Sequence, residues 1–200
     1  MTSATKPMAA FEIVSPTVAD AALLADFYQQ NHAHFQPFEP LRDADFYTEP
    51  ALRQRLAAQQ QLQQQRLCYA LIARTEQQIV AQATISNIIY GPFCAGYLGF
   101  GVAKAFEGQG LMTALCQQLI RHAFTELQLN RIMANYLPSN QRSARLLQRL
   151  GFEVEGRARH YLQINGQWQD HILTALLQPK YANSTTSISS PASFGVKPCY

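Results

Sequence analysis

The sequence has few charged residues, few cysteines and no long apolar run, and each absence excludes a class of protein. Only 14% of its 200 residues are charged and the formal net charge is +3, so no broad nucleic-acid-binding surface is evident. No apolar run approaches the length of a membrane span, and residues 1–11 lack the apolar centre of a signal peptide. We therefore expect a cytoplasmic protein that does not associate with membranes.

The cysteines also argue against a metal site. There are four, namely Cys68, Cys94, Cys116 and Cys199. None forms a C-x-x-C pair or has a histidine at metal-ligand spacing, so no bound metal is expected. Reduced thiols fit best, and Cys116 lies in an apolar helical pattern that indicates a core thiol rather than a nucleophile.

Length and composition predict one α/β domain. The chain is 48% hydrophobic, which suffices for one sizeable core but not for two comfortable domains. From Asn183 onward the composition changes to Ser, Thr, Pro and Gly, which is too poor in apolar side chains to offset the cost of ordering. We assign residues 11–178 to the domain, residues 1–10 to an N-terminal extension and residues 179–200 to a flexible Ser/Thr-rich tail.

The apolar pattern predicts the order of elements in the first half. They are a strand over residues 11–14, a helix over 21–31, an aromatic loop over 32–45, a helix capped by Thr48 over 51–65, and antiparallel strands over 68–72 and 79–89. The chain closes with two strands around Asn165-Gly166, which is the strongest short hairpin signal in the sequence.

A glycine-punctuated turn is the most informative segment. It places Gly108 and Gly110 between a strand over residues 97–102 and an amphipathic helix that begins at Leu111. The free N–H groups of a helix N-terminus favour anions, and glycines let a diphosphate approach closely. The Rossmann pattern requires a third glycine where Thr113 stands, and the Gly-Lys-Ser/Thr of a P-loop is missing.

A second strand and helix follow the same plan. The strand over residues 131–136 precedes Ser139 and Asn140, either of which is a good N-cap, and the helix ends at Gly151-Phe152.

Together these segments resemble the GNAT superfamily of N-acetyltransferases, whose coenzyme A pyrophosphate loop reads Q/R-x-x-G-x-G/A. Gly108 and Gly110 occupy its two small positions, and Asn140 with Ser143, three residues apart at a helix start, matches the other half-site. The resemblance covers about residues 10–178. The run from residue 131 to residue 177 is similar to the ribosomal-protein-alanine N-acetyltransferases of the RimJ type. The sequence departs from the loop pattern at Ala105 and at Glu107, where Gln or Arg is usual.

The resemblance implies a single domain with a mixed, mostly antiparallel twisted sheet that splays at the coenzyme site and is flanked by helices. It implies acetyl-coenzyme A as cosubstrate and direct attack of an amine in a ternary complex. The expected coenzyme-binding residues are Phe100, Gly101, Val102, Glu107, Gly108, Gln109, Gly110, Leu111, Met112, Asn140 and Ser143. Near this site, Arg142, Arg145 and Arg149 form either a local basic stripe or a solvated helix face.

Three residues are catalytic candidates. Ser143 is the expected donor to the departing thiolate, although serine at a helix start is usually a cap. Tyr136 is the alternative acid or a packed strand tyrosine. Glu39, which lies in an aromatic-Glu-Pro run typical of the RimJ type, is expected to contact the acceptor amine as base or as anchor, with Phe38 and Tyr97 as further acceptor-binding residues.

His160 and His171 in the terminal hairpin either face the acceptor or are ordinary strand histidines. The resemblance implies that the acceptor is the N-terminal alanine of a small-subunit ribosomal protein, either free or in a pre-ribosomal particle. The enzyme itself is expected to be a monomer or weak dimer. Two alternatives stay open. One is acetylation of a small-molecule amine, and the other is a non-catalytic ribosome-assembly factor, which only Glu107 favours.

Overall fold

The computed structural model describes residues 11–179. The predictions for the N-terminal extension over 1–10 and for the tail over 179–200, apart from its first residue, lie outside these residues. The strands are β1 (Glu12–Val14), β2 (Tyr69–Arg74), β3 (Ile79–Ile89), β4 (Ala95–Val102), β5 (Arg131–Met133), β6 (Glu153–Ile164) and β7 (Gln167–Leu177). The helices are α1 (Ala21–Phe35), α2 (Glu49–Gln64), α3 (Leu111–Thr125) and α4 (Gln141–Arg149), with 3-10 turns at Val18–Asp20, Gln36–Phe38 and Lys104–Phe106.

The strands form one mixed sheet in the order β1-β2-β3-β4-β5-β7-β6. Only β4 and β5 are parallel, and every other neighbouring pair is antiparallel. The predicted fold class is therefore confirmed. The predicted hairpin turn lies between β6 and β7, where Asn165 and Gly166 both have positive φ (46° and 77°), as a tight two-residue turn requires.

Helices cover both faces of the sheet. Leu71 on β2 packs in one cluster with Leu115 and Leu119 of α3, whereas the neighbouring Ile72 packs with Phe27 of α1 in another. Because successive strand residues point to opposite faces, α3 lies on one face and α1 with α2 on the other. Within α3, Cys116 is fully buried, and burial raises the pKa of its thiol to about 12. It is a core thiol.

The sheet splays between β4 and β5. Their pairing joins Ala95–Tyr97 to Arg131–Met133 and stops there, while the rest of β4 continues to pair with β3. Beyond β5 the chain follows β7 instead, and the backbones of Tyr136 and Ile172 bond each other in both directions (3.1 and 2.8 Å). The edge of β4 from Leu98 to Val102 is therefore free to face a ligand.

The end of α1 differs from the prediction. The helix continues four residues past Asn31 to Phe35, so the start of the predicted aromatic loop is helical. The interior of the extension holds no glycine or proline, and Pro37 follows in the next 3-10 turn. Asn31 does not end the helix. Its buried amide donates to the Phe27 carbonyl (2.9 Å) and accepts from the Lys104 N–H (3.0 Å), which fastens α1 to the segment after β4.

Candidate active site

The splay between β4 and β5 opens into a cavity of about 460 Å³. It is bounded by β4, the N-terminus of α3, α4 and the segment after α1. All predicted site residues except Tyr97 line it, namely Phe38, Glu39, Phe100, Gly101, Val102, Glu107, Gly108, Gln109, Gly110, Leu111, Met112, Tyr136, Asn140 and Ser143. Segments more than 100 positions apart in the sequence thus meet at one cavity.

The glycine turn presents the N-terminus of α3 to the cavity. Gly108 and Gly110 have φ values of 74° and 77°, and Gly110 is the N-cap of the helix. A Cβ added at either position would meet nothing within 4 Å, so the turn needs glycine for its backbone conformation and not for space. The first N–H groups of a 15-residue helix are left for an anion, and a diphosphate fits that cradle.

Arginines of α4 add positive charge to the same wall. Arg142, Arg145 and Arg149 all line the cavity, and Arg149 donates to the Thr113 hydroxyl on α3 (3.3 Å). The stripe therefore faces the cavity. Guanidinium groups and a helix N-terminus both attract phosphate, which is the charge that coenzyme A carries at one end.

Glu107, the departure from the loop pattern, is paired with Arg142 and lies beside His34. Its carboxylate accepts two hydrogen bonds from Arg142 (2.6 and 2.8 Å), and Nε2 of His34 lies 3.2 Å away. Burial lowers the pKa of His34, while Glu107 acts in the opposite direction. Ala105, the other departure, contributes its carbonyl, which accepts from the Gln109 amide (3.1 Å).

At the start of α4 the two predicted residues separate into different roles. Asn140 is the N-cap, and its Oδ1 accepts from the Ser143 N–H (3.1 Å). The Ser143 hydroxyl has no hydrogen-bond partner among residues 11–179 and lines the cavity. Ser143 is therefore not the cap, and its hydroxyl is available as a donor.

Tyr136 lies on the wall opposite β4, where its backbone pairing with Ile172 holds it at the splay. Within the described part of the chain its hydroxyl also has no hydrogen-bond partner. The cavity therefore contains two hydroxyl groups, of Ser143 and Tyr136, that are able to donate a proton.

Glu39 is anchored at one end of the cavity. Its carbonyl accepts from the N–H of Asn165 in the β6–β7 turn (3.0 Å), and its Oε2 accepts from the Tyr47 hydroxyl (2.7 Å). Burial, and then the contact with Glu39, raise the pKa of Tyr47, so this phenol stays a donor. Tyr47 thus holds one carboxylate oxygen, and the other remains for an amine.

Tyr97 does not line the cavity. Its side chain packs against Ala95, Met133 and Ala175 and hydrogen-bonds Tyr161, whose pKa is raised by burial and by this tyrosine. On this face of the sheet it packs against β5 and β7 and is not part of the cavity lining.

Asn135 and His34 are among the residues of the site that were not predicted from the sequence. Asn135 lines the cavity and donates to the Tyr161 hydroxyl (2.9 Å), and His34 pairs with Glu107. Asn135 precedes a candidate acid in the motif strand, which is a weak signal. Nothing in the sequence near His34 indicates its partner 73 positions away.

Among residues 11–179, no group of three or more His, Cys, Asp and Glu side chains is placed to hold a metal ion. None of the helices in this same range has the length and apolar character needed to cross a membrane.

Similarity to known proteins agrees with the site. The sequence model of the acetyltransferase (GNAT) domain matches residues 11–153. The chain is 40% identical over 164 residues to the ribosomal protein uS5 alanine N-acetyltransferase of Escherichia coli, covering 81% of this chain and 84% of that protein.

Two solved structures are similar over most of their length. A ribosomal-protein alanine acetyltransferase from Vibrio fischeri has a TM-score of 0.82 and 34% identity, covering 86% of this chain and 94% of that one. RimJ of Mycobacterium smegmatis, solved with a coenzyme A disulfide, has a TM-score of 0.78 and 26% identity over 84% and 82% of the two chains. The chain belongs to the GNAT acetyltransferase family and is an acetyl-coenzyme A-dependent N-acetyltransferase.

Proposed function

We propose that the enzyme acetylates the N-terminal α-amine of a small-subunit ribosomal protein that begins with alanine. The observation that carries this proposal is the position of Glu39, whose carboxylate shares one cavity with the glycine turn and with two unpaired hydroxyl groups. The relative that is 40% identical carries the same activity in its name. The enzyme is a monomer or weak dimer in the cytoplasm, and it acts on the free ribosomal protein or on a pre-ribosomal particle.

Coenzyme A would bind in the part of the cavity that is bounded by β4, the N-terminus of α3 and α4. The N–H groups that follow Gly110 and the guanidinium of Arg145 hold phosphate groups. The free edge of β4 from Phe100 to Val102 offers backbone groups to the amides of the pantetheine arm. A backbone N–H on this edge also polarises the thioester carbonyl, as oxyanion donors do.

The transfer itself is direct. The neutral amine attacks the thioester carbonyl carbon, a C–N bond forms, the C–S bond breaks, and the thiolate takes a proton from Ser143 or Tyr136. The nitrogen loses one proton as it becomes an amide, and this proton restores the hydroxyl through solvent. Because both hydroxyls are unpaired within the described residues, either can turn to the sulfur. Glu39 attracts the cationic amine before it loses its proton.

An α-amine is the cheaper acceptor. Because its pKa is about 7.8, removing its proton at pH 7 costs about 1 kcal/mol. Removing the proton of a lysine, whose pKa is about 10.4, costs about 4 to 5 kcal/mol. Among residues 11–179, the carboxylates that line the cavity are those of Glu39 and Glu107, and Glu107 is already paired with Arg142. A polyamine would need more negative charge than this.

The test compares three acceptors with purified enzyme and acetyl-coenzyme A. We expect turnover on a peptide that begins with alanine, and little on the same peptide blocked at its N-terminus and carrying a lysine, or on spermidine. Equal turnover on the lysine peptide would refute the α-amine assignment. Mass spectrometry of ribosomal proteins from a deletion strain identifies the acceptor, since its N-terminal acetyl group should be missing.

A further inference from the structure

His171 on β7 is a buried polar group that the proposed mechanism does not use. Only 4% of this residue is exposed, yet it lines the cavity. A buried imidazole normally has partners for both nitrogens, since an unpaired polar atom away from water costs free energy.

The fold brings His171 to the acceptor side of the cavity. It directly precedes Ile172, the residue that bonds Tyr136 at the splay. Strand alternation puts its side chain on the same face as that of Ala175, which packs with Tyr97. Phe35 of α1 lies on this face too, because a Cβ added at Gly101 would be 3.6 Å from its ring. Glu39 lies four residues after Phe35, and its side chain lines the same cavity as the imidazole.

A β-bulge shapes the surroundings of this imidazole. The pairing of β6 with β7 shifts between Ala158 and Leu162, where three residues of β6 stand opposite Asp170. Asp170 fixes the bulge by accepting from the His160 N–H (2.9 Å) and from Nε of Arg157 (3.0 Å). As a result the Tyr161 ring lies 5.4 Å from that of His171. Bulges often re-aim a side chain next to an active site.

One hydrogen bond assigns the tautomer. Nδ1 of His171 lies 3.2 Å from the carbonyl oxygen of Gln169. A carbonyl only accepts, so Nδ1 carries the hydrogen and Nε2 carries the lone pair in the neutral imidazole. Within residues 11–179 that is the only hydrogen bond of this side chain, which leaves Nε2 as a free acceptor on a residue that lines the cavity.

We propose that Nε2 of His171 accepts the proton that the acceptor α-ammonium loses before attack. This role rests on the proposed function. The N–H bond breaks and its electron pair stays on the amine nitrogen, which attacks the thioester carbon, and the proton passes from the imidazole to solvent after turnover. Glu39 holds the cation, His171 removes its first proton, and Ser143 or Tyr136 protonates the sulfur. The second proton, which the nitrogen loses on becoming an amide, restores that hydroxyl through solvent, so one turnover releases one proton in all.

The charge environment suits this exchange. The titratable groups on the same face are Tyr161 on β6, Tyr97 on β4 and Glu39 after α1, and Tyr136 lies at the splay. Glu39 is the one carboxyl group of this set, so these groups favour a cationic amine. Imidazole is the side chain that serves most often as a general base.

The first test replaces His171 and compares it with a histidine of the same hairpin. His171→Gln should lower kcat on the alanine-starting peptide by about 10²-fold at pH 7, with the acetyl-coenzyme A dissociation constant unchanged. The deficit should shrink toward pH 9, where the free amine no longer needs a base. His160→Asn is the matched control, because His160 is exposed and Asn tolerates its positive φ. It should keep wild-type kinetics.

Chemical rescue separates a base from a structural histidine. His171→Ala should regain part of its kcat when imidazole is added, and the rescue should rise with the fraction of neutral imidazole. A folded His171→Gln enzyme with wild-type kcat at pH 7 would overturn the role of His171 while leaving the acceptor assignment standing. So would a loss that neither pH nor imidazole relieves. A wild-type enzyme that is inactive on the alanine peptide would instead refute the proposed acceptor and this role together.

Discussion

The two halves of the cavity are built differently. The coenzyme half comes from two strand-turn-helix units, in which Gly108 and Gly110 lie beside the helix they begin and Asn140 caps its own helix. The acceptor half joins Glu39 after α1, Tyr136 beyond β5 and His171 on β7. Its geometry depends on long-range contacts such as that between Glu39 and Asn165. Local backbone conformation therefore determines phosphate binding, whereas sheet register determines the acceptor site.

The largest expected effect concerns the coenzyme half alone. Gly110→Asp should raise the dissociation constant for acetyl-coenzyme A by at least about 100-fold, because it puts a carboxylate where the diphosphate meets the helix N-terminus. Isothermal titration calorimetry measures the affinity, and circular dichroism checks the fold.

Gly91→Asp is its matched control. Gly91 has a similar φ of 80° and equally open space around it, but it lies outside the cavity. The backbone strain is therefore comparable, and coenzyme affinity should not change. Near-normal affinity in a folded Gly110→Asp enzyme would contradict the loop assignment.

The second prediction separates two neighbours on α4. Ser143→Ala should lower kcat by about 10²-fold with little change in coenzyme affinity, since a proton donor matters only as the thiolate departs. Its melting temperature should hold, because the cap is Asn140. Asn140→Ala should instead lower the free energy of unfolding by about 1 kcal/mol. Unchanged kcat in Ser143→Ala would leave Tyr136 as the acid.

The same contrast explains what sequence could predict. The glycine turn, a cap of α4 at Ser139 or Asn140 and the Asn165-Gly166 hairpin were predictable because each depends on residues close together in the chain. The end of α1 was not, because helix propensity near Asn31 says nothing of its tertiary bond to Lys104. Nor was the packing of Tyr97, because Met133, Ala175 and Tyr161 come from other strands that meet it only in the folded sheet.

A third prediction tests the acceptor half. Glu39→Gln should raise KM for the alanine-starting peptide about tenfold and lower kcat less, because a neutral amide replaces a charge-assisted contact. Glutamine still accepts from Tyr47, so the loop keeps its anchor. Acetyl-coenzyme A affinity should not change.

Glu76→Gln is the matched control. Glu76 lies at an exposed turn between β2 and β3, so the variant removes the same charge and should leave the peptide kinetics unchanged. Unchanged peptide kinetics in Glu39→Gln would move the amine site elsewhere.

The smallest expected effect lies where the two halves meet, at Glu107. Glu107→Gln should leave coenzyme affinity unchanged or raise it by less than about fivefold, because it removes a negative charge near the diphosphate and frees Arg142 for phosphate. Glu155→Gln is the control. Glu155 lies on β6, outside the cavity, and its carboxylate pairs with Arg131 on β5 (2.5 Å). The substitution therefore removes a carboxylate from an equivalent ion pair. A large loss of affinity in Glu107→Gln alone would mean that the carboxylate positions Arg142 and His34, and that the coenzyme half depends on this long-range contact as the acceptor half does.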